Sequence, residues 1–310
     1  MTTQSAPPPL SVRPAVALLP LAMILALGAM WGLAFSFSKM ASNAGVHPLA
    51  YTFWQGLGAG TLVVVLGALR GARLRLDRAH LRYYFATGLL CIALPNVTLM
   101  TAIGHLPAGV IVLTIPFVPL ITYVLAVALK MERFDALRLS GVLFGLAGVG
   151  LIVLPRASLP DAGMAPWFLL AMMCPVLYAA GNILASRLRP EGAASLPLAA
   201  GMLVAAAVYL VVPVFGLGVF FVPHFPPGGA ELGVAGQIVI SSVAYILFFE
   251  VLRLAGPVYM SFTGYIVTLS GIAWGIVIFG ERHSPWVWGA AALIFSGLLL
   301  VNLRRGAAGR

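Results

Sequence analysis

The sequence is poor in charged residues. Only 8% of its 310 residues are Asp, Glu, Lys or Arg, whereas 61% are hydrophobic. A soluble domain has about 25% charged residues and needs polar side chains to cover its core. The chain is therefore predicted to be a membrane protein, in which the membrane-spanning segment is the basic unit.

Cysteines and catalytic motifs are also scarce. The two cysteines, Cys91 and Cys174, both lie inside hydrophobic runs, where we expect them to serve packing. The sequence has no GxSxG, HExxH, CxxC or Walker lysine motif. We therefore expect no enzyme activity, no metal, no cofactor and no ATP hydrolysis by this chain.

The net charge of +10 comes from 18 basic and 8 acidic residues. The basic residues form short clusters between hydrophobic runs, without a patch of interleaved aromatics. This distribution is typical of residues that set membrane topology, and it argues against nucleic-acid binding. The expected partners are the lipid bilayer and a small-molecule substrate; the sequence does not indicate an oligomeric state.

Ten hydrophobic runs are each about twenty residues long, as a bilayer span requires. They cover residues 16–40, 48–69, 82–104, 108–129, 136–154, 165–187, 196–218, 232–253, 257–279 and 285–303. Their length and uniformity predict helices rather than barrel strands. The predicted fold is an all-α integral membrane protein with ten transmembrane helices.

Lys and Arg residues predict the orientation of these helices. A cytoplasmic N-terminus places 15 of the 18 basic residues on the cytoplasmic side, with Lys39, Arg156 and Arg282 outside. Both termini are then cytoplasmic. Residues 1–14 form a short proline-rich leader that we expect to be disordered and not a cleavable signal peptide.

The chain also contains an internal repeat. A shift of 149 residues aligns Glu132 with Glu281, and a shift of 147 aligns Trp31 with Tyr178. This period predicts two five-helix copies, residues 15–156 and 163–304, followed by a cytoplasmic tail at 305–310. Because five is odd, the second copy is inverted in the membrane, as in secondary transporters with a substrate site between their repeats.

Three stretches resemble a known family. "ALGAMWGLAFSFSKMASNAGVHPLAY" is similar to the first helix of the EamA family in the drug/metabolite transporter superfamily. "TIPFVPLITYVLAVALKMERFDALRLSGVLFGLAGVGLIVL" and "YIVTLSGIAWGIVIFGERHSPWVWGAAALIFSGLLLVNL" resemble its repeated modules around a Gly-Glu motif. The resemblance implies a 5+5 inverted repeat, cytoplasmic ends and export of small metabolites across the inner membrane.

The aromatic content is most similar to the aromatic amino-acid exporter branch of that family. One departure lies early in the second helix, where family members often carry an arginine. This sequence has Trp54 and Gln55 there. A role assigned to that arginine therefore does not transfer to this chain.

Aromatic and polar residues near mid-membrane are candidates for a substrate cavity. Trp31, Phe35 and Ser38 share one face of the first helix, and Tyr178 and Asn182 share the equivalent face of the sixth. Such groups suit a wall against which a substrate ring packs. The alternative is helix packing, with each hydroxyl bonded to a neighbouring backbone.

Further cavity candidates lie on other helices. Asn96 follows Pro95 in the third helix, where a buried amide is costly unless it contacts a substrate, caps a kink or joins two helices. Tyr245 and Tyr265 in the eighth and ninth helices give a second wall. The hinge candidates are Pro95, Pro116, Pro119, Gly264 and Gly271.

Few ionisable residues fall within the spans. Lys39 is predicted either to extend toward the interface or to attract a carboxylate. Glu250 is predicted either to pair with Arg253 or to couple transport to protons. Glu132 and Glu281 are interpreted as structural pins at helix ends, near free backbone amides.

These features together predict an inner-membrane exporter that works by alternating access. Amino acids, including aromatic ones, are the favoured substrates, because aromatic walls, amides and hydroxyls with little fixed charge suit a zwitterion. The alternatives are a multidrug exporter of lipophilic cations and, more remotely, a membrane-embedded enzyme or scaffold.

Overall fold

A computed structural model describes residues 14–130, 134–153, 162–261 and 263–303. Within these ranges it describes only the backbone of some residues, including 14–18, 252–261 and 298–303, and the single positions Pro119 and Tyr265. Every regular element in the described ranges is helical, as the composition predicted.

The helical segments fall into two sets, separated by residues 154–161. The first set contains α1 (Pro14–Asn43), α2 (Pro48–Leu69), α3 (Arg78–Ile103), the interrupted α4 (Ala108–Ile111 and Phe117–Ala128) and α5 (Ala136–Val153). The second contains α6 (Ala165–Ala171 and Met173–Leu188), α7 (Ser195–Gly216), α8 (Gly229–Ser261), α9 (Thr263–Phe279) and α10 (Pro285–Leu303).

Six described helices are long and apolar enough to cross a bilayer. They are Leu21–Asn43, Pro48–Leu69, Arg78–Ile103, Ala165–Ala185, Ser195–Gly216 and Gly229–Phe248. Shorter apolar stretches lie in α5, α9 and α10. Since α4 is interrupted, it does not form one long span, and the count of ten spans stays a prediction.

Two helices contain a π-helical turn. In α2 the turn covers Gln55–Ala59, and in α3 it covers Gly88–Ala93, just before Pro95. Proline has no N–H, and its ring collides with the carbonyl four residues earlier. The wider π turn accommodates this defect without ending the helix.

Helix α4 is broken where the sequence predicted a bend. A 3₁₀ turn, Val112–Thr114, follows its first short piece, and Pro116 stands at the start of the second piece. Gly271 of α9 packs against this turn, since a Cβ at Gly271 would lie 2.6 Å from the Val112 side chain. The break is thus held by close contact with α9.

The principal packing partners join the two sets. Helix α1 packs against α8 and α9, whereas α6 packs against α3 and α4. Helix α2 packs along α7, and α5 along α10. At Gly88, a Cβ would lie 2.8 Å from the Met202 carbonyl oxygen, so α3 approaches the backbone of α7 closely.

One end of the bundle carries arginines from both sets, and we call it the basic end. Arg73 and Arg75 lie there beside Ala193, which follows α6. Asp77 begins α3 by accepting bonds from the His80 N–H at 3.1 Å and its ring at 2.9 Å. The bond from the His80 ring, the larger effect, and the backbone bond lower the pKa of the Asp77 carboxyl.

Candidate functional site

An aromatic cluster joins α1 to α8. The Trp31 ring meets Tyr245 edge-on with centroids 6.2 Å apart, and it lies 5.8 Å from Phe248 in a tilted arrangement. All three side chains are half-buried. Such pairs favour edge-to-face contacts because the ring edge is positive and the face negative. The cluster therefore offers aromatic surface within the helix bundle.

A polar pair joins α6 to α3. The Tyr178 hydroxyl donates to Asn96 Oδ1 over 3.4 Å, and one turn earlier Cys174 Sγ donates to the Pro95 carbonyl at 3.2 Å. The Pro95 carbonyl is thus bonded from the facing helix. The amide of Asn96 keeps donor capacity for a further group, since its nitrogen carries two hydrogens.

These two groups are neighbours. The side chains of Tyr178 and Tyr245 lie near each other, and both lie near Cys91 of α3. Side chains from α1, α3, α6 and α8 therefore surround one region, which we call the Tyr178 region. It combines aromatic faces with an amide and hydroxyls.

Other predicted cavity residues lie elsewhere. Phe35 is 7% exposed and packs into the main hydrophobic core. The Ser38 hydroxyl already has two hydrogen-bond partners. It donates to the Ala34 carbonyl and is hydrogen-bonded to the Tyr51 hydroxyl, both at 2.9 Å. Asn182 is exposed, one turn beyond Tyr178. The side chain of Tyr265 lies outside the described residues.

Lys39 bonds to the carboxyl end of α3. Its Nζ donates to the Ile103 carbonyl at 2.7 Å and to the Gly104 carbonyl at 3.3 Å. Carbonyls at a helix C-terminus have no partners within the helix and attract cations. Lys39 thus holds α1 to α3 at the end of the bundle opposite the basic end.

Glu281 binds the amino end of α4. Its carboxylate accepts hydrogen bonds from the N–H groups of Ala108 at 2.5 Å and Gly109 at 2.8 Å. The sequence predicted a contact with free amides near α9 and α10. The amides instead belong to α4 in the other set, so Glu281 connects the two sets.

His283 lies beside this carboxylate. Its Nε2 is 3.5 Å from Glu281 Oε2, and only 2% of its side-chain surface is exposed. Burial disfavours the charged imidazolium and lowers the pKa of His283; the Glu281 carboxylate opposes this shift. The Lys39 ammonium lies near enough to Glu281 for their opposite charges to attract.

The remaining predicted residues lie outside the Tyr178 region or outside the described residues. Glu250 is half-buried in α8, and the side chain of Arg253 lies outside the described residues. Glu132 also lies outside them, as does the side chain of Pro119. A Cβ at Gly264 would meet open space.

Three contacts were not anticipated from the sequence. The His105 ring stacks on Trp167 with centroids 3.7 Å apart, which fastens the loop after α3 to α6. Trp54 Nε1 donates to the Phe221 carbonyl at 2.9 Å. Gln55 contacts Ser241 of α8. The sequence had marked Trp54 and Gln55 only as standing where similar proteins often carry an arginine, and it did not indicate these contacts.

Two clefts lie at the basic end, away from the Tyr178 region. They measure about 160 and 180 Å³, and Arg73 lines both. Ligand pockets are usually about 300–1,000 Å³, so these clefts do not define the site. In the described part of the chain, no three His, Cys, Asp or Glu side chains come together as a metal site.

Known proteins resemble this chain in sequence over part of its length and in fold over most of it. No curated protein matches it. A crystal structure of a protein with 21% identity has a TM-score of 0.61, covering 94% of this chain and 98% of its own. At that identity the likeness concerns the fold alone. Residues 18–154 match the EamA-like transporter family, so this part of the chain is similar to membrane transporters of the drug/metabolite superfamily.

Proposed function

We propose that this protein is an inner-membrane exporter of small metabolites, with amino acids, including aromatic ones, as its substrates. The observation that carries the proposal is the Tyr178 region, where Trp31, Tyr245 and Asn96 come together from three further helices. Aromatic faces bind rings or aliphatic chains, and the amide and hydroxyls bind the polar end of a zwitterion. The match of residues 18–154 to a transporter family supports the same function.

Alternating access is the proposed mechanism. In this proposal the two sets are inverted five-helix repeats that rock about the substrate. The packing supports this, because exchanging the sets leaves the pattern unchanged: α1 packs on α8 and α9, and α6 on α3 and α4. Both termini are proposed to be cytoplasmic, in line with the distribution of basic residues.

The decisive test is a flux assay with purified protein in liposomes. We expect efflux of labelled Trp, Phe, Met or Thr down its gradient, and little effect of a proton gradient. Failure of all four amino acids to move would contradict the proposed substrate class. Transport of lipophilic cations that Glu250→Gln abolishes would instead favour the multidrug exporter.

The site is tested by substitution of its tryptophan. Trp31→Ala removes the ring that contacts Tyr245 and Phe248, so KM for Phe should rise about tenfold, or about 1.4 kcal/mol, with a smaller change for Thr. The matched control is Trp286→Ala, since that ring is 45% exposed on α10. An equal change of KM for Phe and Thr would contradict a ring-binding role.

A further inference from the structure

A second polar group lies between α2 and α8. Gln55, Gln237 and Ser241 are 4%, 6% and 3% exposed. The side-chain nitrogens of Gln55 and Gln237 donate to the same acceptor, Ser241 Oγ, at 3.0 and 3.3 Å. Three neutral polar side chains thus share one buried spot among apolar helices.

Their hydrogen bonding is incomplete. The side-chain oxygens of Gln55 and Gln237 are both buried without a hydrogen-bond partner. Turning either amide by 180° still leaves an amide oxygen unpaired, because Ser241 has one hydroxyl hydrogen and can donate to one oxygen only. At least one buried amide oxygen therefore needs a donor from outside the group, and leaving it unpaired is costly.

The surroundings indicate where such a donor belongs. Gln55 begins the π turn of α2, and π turns are frequent at functional sites. Ser241 lies four residues before Tyr245 on α8, so the two share a face about one turn apart, about 6 Å along the axis. The Ser241 hydroxyl, to which both amides bond, therefore lies about one helical turn from the residue that contacts Trp31.

We propose that the side-chain oxygens of Gln55 and Gln237, which Ser241 holds in place, bind a monovalent cationic group, namely the ammonium of the transported amino acid. This rests on the proposed function. The two amide oxygens accept two of the three N–H donors of an ammonium, while the Ser241 hydroxyl, which already accepts from both amide nitrogens, orients the two amides. A ring beside Trp31 and Tyr245 then leaves the ammonium one turn away on the same face of α8. An alkali metal ion is the other source of the same chemistry.

The test compares phenylalanine with analogues that lack one of its charged groups. In the liposome assay, phenethylamine should compete with labelled phenylalanine, whereas 3-phenylpropanoate should not. Gln55→Met and Gln237→Met should each raise KM for phenylalanine about tenfold, or about 1.4 kcal/mol, and weaken competition by phenethylamine. Gln55→Glu keeps an oxygen in place and should retain the competition.

The matched control is Ser242→Ala. Ser242 is buried beside Ser241 on the same helix, but its Oγ already donates to the Ile238 carbonyl at 2.7 Å. We expect this variant to keep the wild-type KM and analogue preference. Monodispersity and thermal midpoint in detergent show whether each variant is folded.

A second measurement distinguishes the two sources. The thermal midpoint of detergent-solubilised protein is recorded in sodium chloride and in choline chloride, with and without phenylalanine. If sodium raises the thermal midpoint of the wild-type protein but not that of Gln55→Met, the site binds the metal ion. If phenylalanine raises the midpoint of the wild-type protein but not that of Gln55→Met, the site binds the ammonium. The proposal is overturned if neither sodium nor phenylalanine raises the midpoint and if Gln55→Met and Ser242→Ala have the same KM for phenylalanine. The group then holds only water.

Failure here is distinguishable from failure of the proposed function. If the wild-type protein moves no amino acid, the proposed function is wrong, and a sodium effect lost in Gln55→Met still supports the site. If it moves amino acids but phenethylamine and 3-phenylpropanoate compete equally in wild-type and variant proteins, the transport function stands and the cation site is wrong.

Discussion

At the scale of single residues, two half-buried charged groups are bonded to the ends of helices. The Lys39 ammonium meets carbonyls at the end of α3, and the Glu281 carboxylate meets amides at the start of α4. A charge far from water costs several kcal/mol unless it is paired and hydrogen-bonded. Helix ends supply such partners without a second charged side chain.

Glu281→Gln tests this contact. The glutamine side chain has one oxygen, and its NH₂ group would face one of the two backbone N–H groups of α4. At least one of the two hydrogen bonds to α4 is therefore lost. We expect a loss of stability of about 1–3 kcal/mol, measured as a lower thermal midpoint in detergent. Glu191→Gln, at an exposed turn residue, should leave the midpoint unchanged. Equal midpoints for both variants would contradict the role of Glu281.

His283 should make stability depend on pH. Its pKa is lowered in the folded protein, so the unfolded chain binds more protons and stability rises with pH. The protein therefore loses stability as pH falls below about 6.5, the ordinary pKa of histidine. The loss levels off once the pH is below the pKa of His283 in the folded protein. The thermal midpoint should drop between pH 8 and 5.5, and His283→Gln should drop less. Identical drops would argue against this assignment.

At the scale of helices, close packing depends on small residues and on irregular turns. The π turn of α3 contains Gly88, whose hydrogen faces the backbone of α7. The 3₁₀ turn of α4 packs against Gly271 in a similar way. A regular α-helix with larger side chains would not permit either contact.

Gly88→Ala tests the contact between α3 and α7. Its Cβ would lie 2.8 Å from the Met202 carbonyl oxygen, which is backbone and cannot turn aside. We expect a loss of about 1–3 kcal/mol from overpacking, seen in the thermal midpoint. Gly289→Ala is the control: its Cβ would make an ordinary contact of 3.7 Å with Leu151, and alanine favours helix. A midpoint for Gly88→Ala at or above that of the control would contradict the argument.

At the scale of the whole molecule, contacts between the two sets dominate the packing. Helix pairs such as α1 with α8 and α5 with α10 combine one member of each set. The main hydrophobic core also contains buried residues of both sets, such as Phe117 of α4 and Ile294 of α10. A motion of one set against the other would therefore change the surroundings of the Tyr178 region, as the proposed alternating access requires.

The proposed orientation can be measured with single cysteines. Cys91 and Cys174 are first replaced by alanine, and Arg73→Cys or Arg282→Cys is then introduced at exposed positions at opposite ends. A membrane-impermeant maleimide should label position 282 from outside intact cells, and position 73 only in inside-out vesicles. Labelling of both positions from one side would contradict the orientation.

The sequence by itself determined the helical fold and the membrane setting. A backbone in lipid must satisfy its own hydrogen bonds, and hydrophobic runs of about twenty residues do so as helices, because barrel strands are shorter and alternate in polarity. Pro116 also marked where α4 breaks, because proline disrupts a helix locally. These properties depend on composition and on neighbours along the chain.

Only the tertiary structure decided which distant groups meet. Trp31 and Tyr178 were recognised as aromatic residues at mid-membrane, but the contact of Trp31 with Tyr245 depends on how α1 lies on α8. Glu281 was expected near its own helices, yet it binds α4, 172 positions away at Gly109. The shared hydroxyl of Ser241 was likewise invisible, since hydrophobic periodicity shows that a face is buried but not which helix covers it.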